Sequence, residues 1–257
     1  MSFWRNLLRP APLPVDGPPP SVGEDRRVYA VGDVHGRLDL LEDLLGRIAA
    51  DDRARGPMPP HLILLGDLVD RGPASRQIVS LVMTLAAEEA GLQCLKGNHE
   101  ELFLLAAKGD VTAIPTFRKA GGGATLASYG LPQRDFEAMA DIEIAAWMLA
   151  HVPRDHVDFL DALPDRLIVG DYLFVHAGIR PGVAIERQSG ADMRWIRRDF
   201  LEHEGAHPLM VVHGHSITDD VDERANRIGI DTGAYFSGRL TALGLEGSKR
   251  WVIQTGE

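Results

Sequence analysis

The 257-residue chain has a single cysteine, Cys94, so it can form no internal disulfide. A disulfide-stapled scaffold is excluded, and the low thiol content fits a reducing compartment. Cys94 sits in the run Leu92-Gln93-Cys94-Leu95 and reads as a buried strand residue. Long apolar runs are lacking too. None approaches the roughly 18 residues of a membrane-spanning helix. Near the N-terminus, Arg5 and Arg9 flank only Leu7-Leu8, short of the about 7–15 apolar residues a secretory signal needs. A cytoplasmic protein with no membrane partner is therefore expected. Positive charge is scarce: 27 Lys and Arg face 37 Asp and Glu, a formal net charge of −10. General nucleic-acid binding, which leans on cationic contacts to phosphate, is not expected. A phosphorylated ligand would be repelled by the overall field and must be held by a local site. Bound metal cations would supply such a local reversal of sign.

What is present fits a soluble globular protein. Hydrophobic residues make up 45% and charged residues 25%, ample for a buried core. Pro10, Pro12, Pro14, Pro18, Pro19 and Pro20 crowd the first 25 positions. Proline removes backbone donors and cannot sustain a helix or a central strand, so 1–25 is expected to be a disordered or polyproline-like tail. One domain is expected over 26–257, without solenoid repeats.

From residue 27 a unit recurs: a short apolar run, a Gly-plus-polar loop, then an amphipathic helix. Val28–Val31 leads to Gly32-Asp33, with Leu38, Leu41, Leu44, Leu45 and Ile48 marking a helical face. Leu62–Leu65 leads to Gly66-Asp67, with Ile78, Leu81, Val82 and Leu85 behind it. Leu92–Leu95 leads to Gly97-Asn98, followed by Leu102, Leu104 and Leu105. This pattern predicts a mainly parallel sheet. Residues 110–165 read as a helical cap, with helices near 134–150 and 154–163. Gly121-Gly122-Gly123 reads as a flexible turn, because the Lys-Ser/Thr of a phosphate-cradling loop is absent. Strands are predicted at 167–169, 172–176, 209–213, 227–231, 239–245 and 250–254. The expected fold is α/β, a β-sandwich flanked by helices.

Asp33, His35, Asp67, Asn98, His99, His176 and His215 all lie just past the ends of apolar runs. The C-terminal ends of parallel strands gather on one edge, where ligands bind. Carboxylates, a carboxamide and imidazoles without thiolate suit catalytic divalent ions such as Mn, Fe or Zn, not a structural zinc. Taken singly, each fragment has a plainer reading. Asn98 could cap a helix starting at Glu100, and Asp70-Arg71 could be a surface ion pair. Alternation would point His213 the same way as His215, leaving either as the ligand. His61, His151, His156, His203 and His207 have no motif context and read as solvated or structural.

Taken in order, the blocks resemble a known family. Gly32-Asp33-Val34-His35-Gly36, Gly66-Asp67-Leu68-Val69-Asp70-Arg71-Gly72 and Gly97-Asn98-His99-Glu100 are similar to the signature of the phosphoprotein phosphatases, within the calcineurin-like metallophosphoesterases. His176-Ala177-Gly178, Trp195-Ile196-Arg197, Gly214-His215-Ser216 and Ile230-Asp231-Thr232-Gly233-Ala234 follow in the family's order. The resemblance spans about 27–245 and is nearest the short phage and bacterial serine/threonine phosphatase branch. It implies one metallophosphoesterase catalytic domain holding two divalent ions, with Mn expected first and Fe or Zn as alternatives. Asp33 and His35 would hold the first ion, Asp67 would bridge, and Asn98, His176 and His215 would hold the second. His99 would be the general acid, partnered by Asp70. Arg71 and Arg197 would grip phosphate oxygens with help from Asn98, although Arg194 and Arg198 stand close enough to replace Arg197. The implied reaction is in-line attack on a phosphomonoester by a metal-bridging hydroxide, with a phosphorylated protein or peptide as substrate and a monomeric enzyme. The alternative is a nucleotide hydrolase resembling the symmetrical diadenosine tetraphosphatases. Asp70 before Arg71 and Glu100 after His99 look like the protein phosphatase branch. A non-catalytic scaffold would be expected to have lost ligand positions, and none is missing.

Overall fold

The computed structural model describes residues 18–88 and 91–256. The first half repeats strand, loop and helix: β1 (Arg27–Val31), α1 (Leu38–Arg55), β2 (Pro60–Leu64), α2 (Ser75–Glu88), β3 (Leu92–Cys94) and α3 (Asn98–Ala107). Five short helices form the cap: α4 (Ile114–Ala120), α5 (Gly122–Tyr129), α6 (Gln133–Ala138), α7 (Asp141–His151) and α8 (Arg154–Ala162). The remainder holds β4 (Arg166–Val169), β5 (Tyr172–Val175), α9 (Gly190–Trp195), α10 (Arg198–Leu201), β6 (Met210–His213), β7 (Asp222–Glu223), β8 (Arg227–Gly229), α11 (Ala234–Ser237), β9 (Thr241–Glu246) and β10 (Lys249–Gln254).

The strands form two five-stranded sheets, ordered β10-β9-β1-β2-β3 and β4-β5-β6-β8-β7. In the first, β1, β2 and β3 are parallel, and in the second β5, β6 and β8 are parallel. Antiparallel strands complete each sheet. Period-2 alternation sorts the side chains of β1. Val28 and Ala30 face the second sheet and pack with Tyr172, Phe174, Val212 and Ile228. Tyr29 and Val31 face the helices and join Leu41, Leu44, Ile78 and Val82. A strand buried on both faces reads as a continuous apolar run, which is why these strands are visible in the sequence. A third cluster, with Val175, Val211, Met193 and Phe200, covers the outer face of the second sheet. The α/β sandwich flanked by helices is therefore present.

Several local expectations need correction. The helix expected near 134–150 is two helices, because Met139 and Ala140 adopt extended backbone. Arg118 bridges the break, donating to the carbonyls of Phe136 and Met139 and to Asp141. The triple glycine is no loose turn. Gly121 alone turns the chain, at φ 101°, and Gly122 and Gly123 lie in α5. A Cβ on Gly122 would sit 2.4 Å from the Phe117 ring, so close packing selects glycine there. Of the expected tail, residues 1–17, with Pro10, Pro12 and Pro14, lie outside the described residues. The last part of that tail is fastened to both sheets. Ser21 and Asp171 exchange hydrogen bonds, and buried Val22 donates to the Gly247 carbonyl at 3.0 Å. Among the described residues, no helix is long and apolar enough to cross a membrane.

Candidate active site

The loops after β1, β2, β3, β5 and β6 meet at one edge of the sandwich and line a cleft of about 490 Å³. Asp67 lies at its centre. Its Oδ2 is 3.5 Å from His35 Nε2 and 3.8 Å from His99 Nε2, and its Oδ1 is 3.4 Å from His176 Nε2. Asn98 Oδ1 is 2.9 Å from His176 Nε2. Asp33 accepts the His215 amide at 3.0 Å. The sequence-predicted residues Asp33, His35, Asp67, Asn98, His99, His176 and His215 are thus brought together, all buried.

The arrangement fits cations. His35 and His176 each place Nδ1 2.9 Å from a backbone carbonyl, those of Val69 and Leu65. Donating Nδ1–H there turns the Nε2 lone pair into the cleft, as outer partners of metal ligands do. Among the described residues, buried His215 Nε2 has no hydrogen-bond partner. Among the described residues two clusters stand within mutual reach: His35, Asp67 and His99, and Asp67, His176 and His215. Asp67 belongs to both, with one oxygen towards His35 and the other towards His176. Burial and the neighbouring Glu100 charge push the Asp67 carboxyl up to about 7. Asp33 is raised well above the carboxylate range by burial and by the Asp231 and Asp67 charges. Burial holds His176 down to about 3, and burial with the adjacent His176 holds His215 down to about 2. Neutral imidazoles beside crowded carboxylates are what a divalent ion selects.

His99 behaves differently from the other rings. Burial opposes its charge, but the carboxylates of Asp67 and Asp70 outweigh burial and lift its pKa to about 9. Nδ1 lies 2.7 Å from Asp70 Oδ2, which fixes the ring and leaves Nε2–H facing the cleft. A protonated imidazole has no lone pair for a metal, so its geometry suits an acid. Asp70 is itself held by Thr125, whose hydroxyl donates to Oδ1 at 2.7 Å and accepts the Asp70 amide at 2.8 Å.

Arg71 and Arg197 both line the cleft. Arg71 Nη2 is 3.4 Å from His99 Nε2, and the guanidinium lies 4.4 Å from the centroid of the Tyr235 ring, which also meets His35 edge-on. The neighbouring arginines are committed elsewhere: Arg194 to Glu101 and Asp165, and exposed Arg198 to Glu202. His213 is withdrawn from the cleft, packed edge-on against Phe200 and near Arg227. Strand alternation ends before His215, which has φ 63°, so the two rings part. His156 is structural, bonding Tyr129 and Ser80.

Among the described residues, the non-glycine residues with positive φ are His35, Asp67, Asp70, Arg71 and His215. Each such conformation costs about 1–3 kcal/mol and persists only where its surroundings over-determine it. Buried Glu100 is one such restraint. Its carboxylate accepts the amides of Asp67 at 2.7 Å, Leu68 at 2.8 Å and Gly97 at 2.8 Å, clamping the β2 and β3 loops together. Sequence reasoning assigned no role to Glu100, Thr125, Tyr235 or Asp231. Asp231 was findable: it follows β8 as the other polar residues follow their strands, and its charge is one of those that raise the Asp33 carboxyl.

A sandwich that gathers carboxylates, imidazoles and arginines at the ends of its parallel strands defines a metal-dependent hydrolase of phosphate esters. The chain belongs to the calcineurin-like phosphoesterase family, whose model matches residues 26–238. Serine/threonine-protein phosphatase 2 of Escherichia coli (strain K12) is 25% identical over 229 residues, 84% of this chain and 91% of that protein. The asymmetrical bis(5'-nucleosyl)-tetraphosphatase PrpE of Bacillus thuringiensis (strain Al Hakam) is 29% identical over 234 residues, 83% of this chain and 88% of that protein. Among solved structures, one described provisionally as a diadenosine tetraphosphatase aligns with a TM-score of 0.61 at 23% identity, covering 90% of this chain and 94% of its own. A protein serine/threonine phosphatase of Saccharomyces cerevisiae aligns with a TM-score of 0.54 at 15% identity, covering 90% of this chain and 80% of its own. At these identities the structural likeness speaks to fold alone.

Proposed function

We propose that this phosphoesterase is a serine/threonine protein phosphatase, hydrolysing phosphomonoesters with two divalent ions, Mn first and Fe or Zn as alternatives. Asp33 and His35 would hold one ion, Asn98, His176 and His215 the other, and Asp67 both. When bound, such ions lower the pKa of water to about 7 and neutralise charge on phosphoryl oxygens. Arg71 and Arg197 would bind the equatorial oxygens, where negative charge spreads in the transition state, and Asn98 would assist them. The guanidinium fork matches such oxygens in pairs. The Tyr235 ring limits where the Arg71 fork can point.

The observation that carries the reading is the His99–Asp70 pair, 2.7 Å apart and buried beside Arg71. A serine alkoxide is a poor leaving group and needs a proton. His99 Nε2–H would give it while Asp70 holds Nδ1. A phosphoanhydride leaves as a stable phosphate and needs no such acid. A positioned acid contributes about 10²–10⁴-fold. His99→Asn should therefore slow a phosphoserine peptide by about 10²-fold or more and p-nitrophenyl phosphate far less, measured as kcat/KM. Equal losses would remove His99 from the acid role.

The second reading is hydrolysis of a dinucleoside tetraphosphate, favoured by the 29% identity to a protein named for that activity. Purified protein with Mn, given a phosphoserine peptide and diadenosine tetraphosphate in parallel, separates the two. Preference for the dinucleotide would overturn the first.

A further inference from the structure

The cap places one cation in the cleft that the chemistry above does not use. Lys119, in the last turn of α4, lines the same cavity as Asp67, His99, Arg71 and Arg197, with Thr116 and Ala120 beside it. Among the described residues it has no ion pair or side-chain hydrogen bond, whereas its neighbour Arg118 is bound to Asp141 and two carbonyls. A lysine in a last turn also complements the helix dipole, but that role does not require the side chain to line a cleft. Acidic lining residues come from the strand-end loops, Asp33, Asp67 and Asp231, and none comes from the cap. Trp195 and Ile217, 39% and 41% exposed, line the same cleft. The Trp195 indole is anchored by donating to Glu101.

Resting on the protein phosphatase reading, we propose that Lys119 forms a subsite for an acidic residue flanking the phosphorylated serine or threonine. In a chain of net charge −10, an acidic peptide is repelled except where a local cation receives it. The count of free charge favours one carboxylate over a polyphosphate. With Arg71 and Arg197 on the scissile phosphoryl, a tetraphosphate would leave three more phosphates to a single ammonium, since Arg118 and Arg194 are neutralised by their own carboxylates.

The test uses phosphoserine peptides that differ only in carrying Glu, Ala or Lys at each flanking position, compared by kcat/KM for the wild type, Lys119→Ala and Lys119→Glu. An exposed ion pair predicts a preference for Glu over Ala of up to about 5-fold in the wild type, shrinking with added salt. Lys119→Ala should level the series, and Lys119→Glu should invert it towards Lys. Melting curves of the variants establish that they are folded. Efficient cleavage of all peptides without preference, or an acidic preference that survives Lys119→Glu, overturns the subsite and leaves the phosphatase reading standing. Cleavage of diadenosine tetraphosphate with no peptide cleaved overturns both.

Discussion

The two sheets deliver their side chains to one cleft by different means. The first sheet sends the loops bearing Asp33, His35, Asp67, Asp70, Arg71, Asn98 and His99. Four of these residues have positive φ, and the loops are bound to one another through Glu100, Thr125 and paired backbone bonds such as Val34 N to Asp67 O at 3.1 Å. The second sheet sends His176 and His215. The His176 ring is fixed by donating Nδ1–H to the Leu65 carbonyl at the end of β2, and among the described residues buried His215 Nε2 has no hydrogen-bond partner. One edge is a stiffened frame and the other is a pair of rings leaning on it. Polar groups buried without partners cost about 1–3 kcal/mol each, so the second edge depends more on what occupies the cleft.

The sharpest way to break this contrast is Asp67→Asn, the one change that touches both edges. Outer partners of metal ligands cost about 10–100-fold when lost, and a ligand shared by two ions should cost more. Loss of activity together with metal content, measured by elemental analysis, is expected. Full activity with two ions retained would end the bridging assignment. Next, Glu100→Ala removes only the stiffening of the first edge. It leaves at least three buried amides without acceptors, and at about 1–3 kcal/mol each a stability loss of roughly 3 kcal/mol or more should appear in denaturant unfolding. A change below about 0.5 kcal/mol, the range of ordinary surface substitutions, would show the clamp to be dispensable.

The smallest effect concerns protons. In metal-free protein the His99 ring, raised from 6.5 to about 9, should be followed by NMR titration, and Asp70→Asn should lower its midpoint. Because the folded value lies above the unfolded one, the stabilisation from this proton is complete below 6.5. It is lost as pH rises through about 9. A midpoint unchanged by Asp70→Asn would leave Asp67 alone as the cause.

Much of the frame was legible because it follows from local rules. Strands buried on both faces show as apolar runs, and polar residues at their ends gather wherever strands run parallel. The same rule reaches Asp231. What stayed hidden depends on partners remote in sequence. Nothing near Glu100 announces that its carboxylate closes the loop of Asp67, 33 positions away. Among Arg194, Arg197 and Arg198, two find carboxylates elsewhere, Arg194 with partners remote in sequence, and Arg197 lines the cleft. His213 and His215 look alike in a run of letters and differ because one ends a strand and the other begins a left-handed turn. The three glycines gave a composition without a conformation, and the rings of Phe117 and Phe136 decided which would be helical.

Gly121 holds a last consequence. Its carbonyl accepts the Arg71 amide at 3.3 Å, and a Cβ there would come within 2.9 Å of that nitrogen. The cap is therefore joined directly to the residue proposed to grip the phosphate. Anyone grafting a foreign cap onto this scaffold to change its selectivity would have to rebuild that joint first, or the new preference would arrive with a displaced arginine and a slower turnover.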